Sequence, residues 1–161
     1  MIETPLTTAL AILQARVGTE VHVSDWLVIT QDRVDAFAAA TGDAQWIHTD
    51  PVRAGSESPW GTTIAHGYLT LALQVPLRGL LETTLREFPA VHSVINYGLN
   101  RLRFPTPVRV GSRIRGRFTL QGVETLGADV LQVTERYTVE VDGETKPACI
   151  AESVMRMMFR S

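Results

Sequence analysis

The sixteen residues GYLTLALQVPLRGLLE, from Gly67 to Glu82, constrain the fold more than any other stretch of this chain. Apolar side chains recur at helical spacing on nearly every face, and a helix of that kind has to be enclosed by other structure. Pro76 lies inside it and predicts a kink, because an internal proline removes one helical hydrogen bond and crowds the preceding turn. The apolar run from Tyr68 to Leu81 is interrupted by Gln74, Pro76 and Arg78 and falls short of the about 20 residues a bilayer needs, so it reads as core. From His92 onward the period changes from helical to alternating. Residues 92–104, 112–125, 129–141 and 147–159 read as four strands, clearest where Ile114, Phe118 and Leu120 alternate with Arg113, Arg115 and Arg117. Asp142-Gly143 falls between two of the runs and predicts a type I′ hairpin turn. Gly122 and Gly127 bracket another turn.

Ahead of the long helix, Leu6, Ala9, Leu10, Leu13 and Val17 give a helical spacing over residues 6–17, and Trp26–Ile29 reads as a short strand. Thr30 with Asp32 in the first turn starts a second helix. Gly42 ends it, as glycine accepts the left-handed conformation common there. Residues 43–65 lose periodicity and gather Pro51, Gly55, Ser58, Pro59 and Gly61, the composition of a functional loop. Within that loop, Asp50-Pro51 predicts a capped single turn through Arg53. The fold class is therefore α+β: one domain over 1–161, with a curved antiparallel sheet wrapped around a long central helix and an N-terminal helix before it. The open sheet edges suggest that a second copy packs there.

Composition excludes several function classes. Hydrophobic residues at 45% and charged residues at 20% suit a packed domain and not a disordered chain. A formal net charge of −2 supplies no field for nucleic acid or an anionic membrane. The single cysteine, Cys149, excludes an internal disulfide framework and suits a cytoplasmic location. The first residues carry Glu3 and lack the basic region of a signal peptide.

The chemistry gathers in TGDAQWIHTDP, residues 41–51. Asp43 and His48 lie five residues apart in a loop just after a helix end, a setting that can turn both toward one point. An imidazole exchanges protons near neutral pH, and a carboxylate sharing a water with it supplies the acid and base for hydration of a double bond. The structural alternatives are an Asx-turn at Asp43 and a satisfied, partly buried imidazole at His48. Asp50 is accounted for as a helix cap. His48-Thr49-Asp50 has no third ligand at metal spacing, so no metal is expected. The second element is GTTIAHGYL, residues 61–69, where Gly67 opens the central helix. Its backbone N–H could hold a developing oxyanion, or the glycine could simply permit a tight entry.

TGDAQWIHTDP, then TIAHGYLTLAL, then RLRFPTPVRVGSRI resemble, in that order, the MaoC-like (R)-specific enoyl-CoA hydratase family and within it the NodN-like branch. The resemblance covers roughly residues 20–157. It implies a hot-dog fold, a homodimer, an acyl-CoA or acyl-carrier thioester as substrate, and no metal or redox cofactor. It also implies Asp43 and His48 as the pair activating one water, and the Gly67 N–H as the donor to the thioester oxygen. Gln45, Trp46, His66 and Arg103 are the positions expected to contact substrate. The sequence departs from the usual hydratase motif at Gln45-Trp46, where Asn-Pro is typical, so the loop must be held in another way. Six of the 15 basic residues fall between 101 and 117, where arginine could meet CoA phosphates or form a solvated strand face. The rival activities are a thioesterase, for which the helix offers only Gln74 and Glu82, and a non-catalytic acyl- or CoA-binding protein. No nucleophile elbow, P-loop or dinucleotide fingerprint is present.

Overall fold

A computed structural model describes residues 4–160; Glu3, on which the reading of the first residues turned, lies outside them. Helix α1 (Pro5–Gln14) starts from Thr4, whose hydroxyl accepts from the Thr7 N–H while Thr7 reciprocates, and it buries Leu6, Ala9 and Leu13. Two short strands follow, β1 (Glu20–Val23) and β2 (Leu27–Val28). Helix α2 (Gln31–Thr41) is capped by Thr30 and closed by Gly42, at φ 79°. The single turn α3 (Trp46–Thr49) leads into α4 (Pro51–Glu57), where the Asp50 side chain accepts from Arg53 N–H as expected of a cap.

The central helix is in three pieces: α5 (Gly67–Ala72), α6 (Gln74–Arg78) and α7 (Leu80–Glu87). The first break is at Leu73, three residues ahead of Pro76, where the missing proline N–H and its ring are felt. The second is Gly79, at φ 59°, a left-handed residue that redirects the chain. The helix is not covered all round: Tyr68 is 66% and Val75 38% exposed.

Four long strands then form the sheet: β3 (Val91–Arg103), β4 (Arg113–Thr125), β5 (Val130–Val141) and β6 (Cys149–Phe159). Their order is β1-β4-β5-β6-β3, antiparallel, with β2 also pairing β4. Every second residue of β5 faces inward, and the concave face packs on the helix through Phe118, Tyr137, Val139 and Leu69. The Tyr137 hydroxyl donates to the Thr70 carbonyl and ties sheet to helix. Cys149 is buried in the same cluster, which pushes its thiol up to about 12.

Two turn expectations are corrected. Gly143 has φ 80° but Asp142 does not share a positive φ, so the β5–β6 connection is not the two-residue type I′ turn. Gly122 sits inside β4 at a register shift, a bulge rather than a turn boundary, whereas Gly127 (φ 76°) does make its turn. The four long strands agree with the sequence expectation to within two residues, and β1 is an element that the sequence pattern does not announce.

Candidate active site

The local folds at 41–51 and 61–67 converge on one spot. Gly42 turns the chain out of α2 and delivers Asp43 to the mouth of the site. His48 arrives one turn into α3, only 6% exposed. Segment 63–65 is pinned against 108–110 by Ala65 N–H to the Val108 carbonyl and Val110 N–H to the Thr63 carbonyl. That pinning makes the Ile64 carbonyl a fixed acceptor, and His48 Nδ1 lies 2.7 Å from it. A carbonyl only accepts, so Nδ1 carries the proton and Nε2 keeps a free lone pair. Gln31 reinforces the arrangement: its amide donates to the His48 carbonyl at 2.7 Å while its oxygen accepts from the Thr63 hydroxyl.

One carboxylate oxygen of Asp43 and one ring nitrogen each of His48 and His66 lie within 4.8 Å of one another. Among the described residues, the Asp43 carboxylate has no direct hydrogen bond to His48. Its side-chain partner is the Gln45 amide at 3.1 Å. The separation suits one bridging water. The Gln45 amide, aided by the neighbouring imidazoles, holds the Asp43 carboxyl below its usual range. Burial lowers the His48 pKa, and the Ile64 carbonyl offsets only part of that. A base that stays unprotonated thus faces an acid that stays ionised.

His66 brings a third polar group that spacing along the chain did not connect to the pair. Its ring stacks on His48 with centroids 3.8 Å apart and planes 25° apart. A metal sits in the plane of each imidazole that binds it, at about 2.0–2.1 Å from the nitrogen. Two nearly parallel rings do not converge on such a point, which is poor geometry for chelation.

The Gln45-Trp46 departure has a physical account. Gln45 reaches back to the Asp43 carboxylate, and the Arg53 guanidinium lies over the Trp46 ring, 4.4 Å from its centroid. The loop is held by a polar tether and a cation–π clamp where proline would have stiffened it. Gly67 opens α5, so its N–H has no acceptor within the helix. A Cβ added at Gly67 would meet the Phe104 ring at 2.9 Å, so only glycine fits without moving that ring.

Arg103, at the end of β3, is exposed and donates to its neighbour's carbonyl, that of Leu102. Arg101 and Arg109 are exposed as well. Arg113, Arg115 and Arg117 instead pair with Asp142, Glu140 and Glu20, an ion-pair ladder on the outer sheet face. Ile64 and Phe104 lie inside the quoted segments and Gln31 outside them, but the tasks of all three, as backbone acceptor, wall and brace, come from tertiary position and have no sequence signal.

Beside the site runs an apolar groove of about 500 Å³ between α5–α6 and β3, walled by Phe37, Tyr68, Leu71, Val75, Tyr97 and Leu99. Phe37 also packs against the His66 ring, so groove and polar cluster are contiguous. Gln74 and Ser153 hydrogen-bond each other at its floor. Among the described residues, no helix is long and apolar enough to cross a membrane.

Residues 13–142 match the family described as MaoC like domain. The chain is 53% identical over 148 residues to 3-hydroxyacyl-thioester dehydratase Z of Mycobacterium tuberculosis, covering 92% of this chain and 95% of that one. It is 42% identical over 151 residues to Nodulation protein N of Rhizobium leguminosarum bv. viciae, covering 94% and 92%. The structure superposes on the (R)-hydratase from A. caviae involved in PHA biosynthesis with a TM-score of 0.66 and 25% identity, covering 88% and 96%.

Proposed function

The chain belongs to the MaoC-like family of hot-dog hydratases and dehydratases, and from that premise we propose that it reversibly hydrates a trans-2-enoyl thioester, of CoA or a carrier protein, to the (R)-3-hydroxyacyl form. The observation that carries this reading is the tautomer imposed on His48. With Nδ1–H given to Ile64, the free Nε2 is the base, and an Asp43 carboxylate oxygen lies within 4.8 Å of the His48 ring, close enough for one water to bridge them.

In this mechanism the thioester oxygen accepts from the Gly67 N–H, where negative charge develops as the double bond is attacked. Asp43 and His48 orient a water, His48 Nε2 takes its proton, and the oxygen bonds to C3. The proton returns to C2, so the sum is addition of water with no electrons gained or lost. No metal or redox cofactor is called for. The acyl chain lies in the groove beyond Phe37. Phosphates of CoA fall to Arg103 and its exposed neighbours Arg101 and Arg109, because the next three arginines are already paired. A thioesterase is less well supported: Gln74 is engaged with Ser153, and Glu82 is exposed on α7.

The partner in this reading is a second copy. Strand β3 is a free edge of 13 residues that exposes Ile95, Tyr97 and Leu99 by 43–59%. A long apolar edge of that kind is normally covered. Sedimentation at assay concentration should give the dimer mass, and a monomer would remove this part of the reading. The cytoplasm is the compartment proposed.

The deciding experiment mixes the protein with crotonyl-CoA and with a longer trans-2-enoyl-CoA, following enoyl absorbance and free thiol together. Absorbance should fall with no thiol released. Thiol release would mark a thioesterase, and silence on both with intact binding would mark a binding protein.

A further inference from the structure

We propose that His66 is a positioning residue that fixes the Asp43/His48 pair at a set distance from the Gly67 N–H. This rests on the hydratase reading above and gives His66 a task other than touching substrate. His66 is 3% exposed, and its Nε2 lies 2.9 Å from the Asp43 carbonyl. That oxygen only accepts, so the ring donates from Nε2 and locks the backbone of the acid. One face of contact is the His48 ring, and Phe37 packs against it as well. The His66 backbone is anchored in turn, since its carbonyl accepts from the N–H and hydroxyl of Thr70 in the first turn of α5. The next residue is Gly67. One imidazole therefore joins the acid's loop, the base's ring and the oxyanion donor.

The unused nitrogen supports a functional task. His66 Nδ1 is buried with no hydrogen-bond partner. Buried polar atoms are nearly always satisfied, and an orphan calls for an explanation. A phenylalanine would fill the same space without leaving one. Only the histidine donates from Nε2 to the Asp43 carbonyl, and the unpaired Nδ1 is the consequence. The titratable groups facing the ring are Asp43 and His48.

The test compares His66→Phe, which keeps a stacked ring and loses the donor, with His66→Gln, whose amide can still donate to the Asp43 carbonyl. Misplacing reacting groups by about 1 Å can cost about 10²-fold, so H66F should lose about 10²-fold in kcat with KM little changed. H66Q should recover part of that loss. The Asp43 carbonyl ¹³C resonance, taken without substrate, should shift in H66F and return part of the way in H66Q, while His48 stays the Nδ1–H tautomer that the Ile64 carbonyl imposes. If H66F does not fold, His66→Asn, too short to reach Asp43, replaces it with the same expectation. Native kcat together with an unchanged Asp43 carbonyl resonance in the folded variant would overturn the proposal. Failure of the hydratase reading is seen separately, as absent turnover in the native protein, and leaves the Asp43 resonance free to decide whether His66 holds the loop of the acid.

Discussion

Replacing Asp43 by Asn or His48 by Gln should each lower turnover of an enoyl thioester by about 10²–10⁴-fold, the usual scale for a positioned acid–base group, while leaving the fold intact. Both substitutions keep size and hydrogen-bonding capacity. The asparagine of the first variant could still meet the Gln45 side chain, and the glutamine of the second sets an amide where Nε2 stood, with no nitrogen lone pair to take a proton. What each removes is the charge or the lone pair that faces the shared water. The pH profile of kcat/KM makes the assignment sharper. Burial lowers the His48 pKa, so the free base persists below the ordinary imidazole value near 6.5. Asp43 is lowered as well and stays ionised through the same range. The acid limb should therefore lie below about 6.5 and belong to His48. It would be tracked with a short enoyl-CoA from neutral pH downward. A limb at or above the ordinary imidazole value, or near-native turnover in both folded variants, would sink the assignment.

How much of this could be read from the chain follows from what kind of information each feature carries. The α+β class, the four long strands and the caps at Thr30, Gly42 and Asp50 are local: period, cap chemistry and glycine placement act within a turn or two, and the structure has them. Pro76 announced a disturbance, but its position one turn downstream of the break was a matter of geometry. Strand β1 was missed because four residues with two half-buried positions give too little alternation to register. The apolar helix looked enclosed on every side, yet Tyr68 and Val75 are open along the groove. Their sequence signal is the same whether the cover is the chain's own sheet or another subunit.

The site divides along the same line. Asp43, His48 and Gly67 sit in motifs, so spacing and resemblance pointed to them. That His48 keeps its free lone pair on Nε2 depends on the Ile64 carbonyl, sixteen residues away and held by a pairing with 108–110. The stacking of His66 on His48 and the tether from Gln45 to Asp43 are likewise products of the folded loop. The arginine-rich strand is the converse case. Six cations looked like a phosphate surface, but cross-strand acids on β1 and β5 and in the following turn neutralise Arg113, Arg115 and Arg117.

The largest stability effect should come from Arg78→Met. Glu135 lies at an inward position of β5 between Val133 and Tyr137, and its side chain is 4% exposed. It survives there because Arg78, on α6 and itself 15% exposed, donates three hydrogen bonds to its carboxylate at 2.9–3.2 Å. The pair is not strong evidence of stability by itself, since removing two charges from water costs about as much as their attraction returns. Its importance lies in the asymmetry. Removing Arg78 alone leaves a buried carboxylate without compensation, which typically costs about 3–5 kcal/mol. For a chain of this size, each kcal/mol moves Tm by roughly 2–4 °C, so a fall of about 10 °C is expected by thermal denaturation. Arg78→Met with Glu135→Leu should recover most of the loss, because two apolar side chains fill the space without a stranded charge. If the double variant is no more stable than the single one, the cost belongs to the lost contact of the Arg78 guanidinium with the Phe118 ring, 5.6 Å from its centroid, and not to the stranded carboxylate.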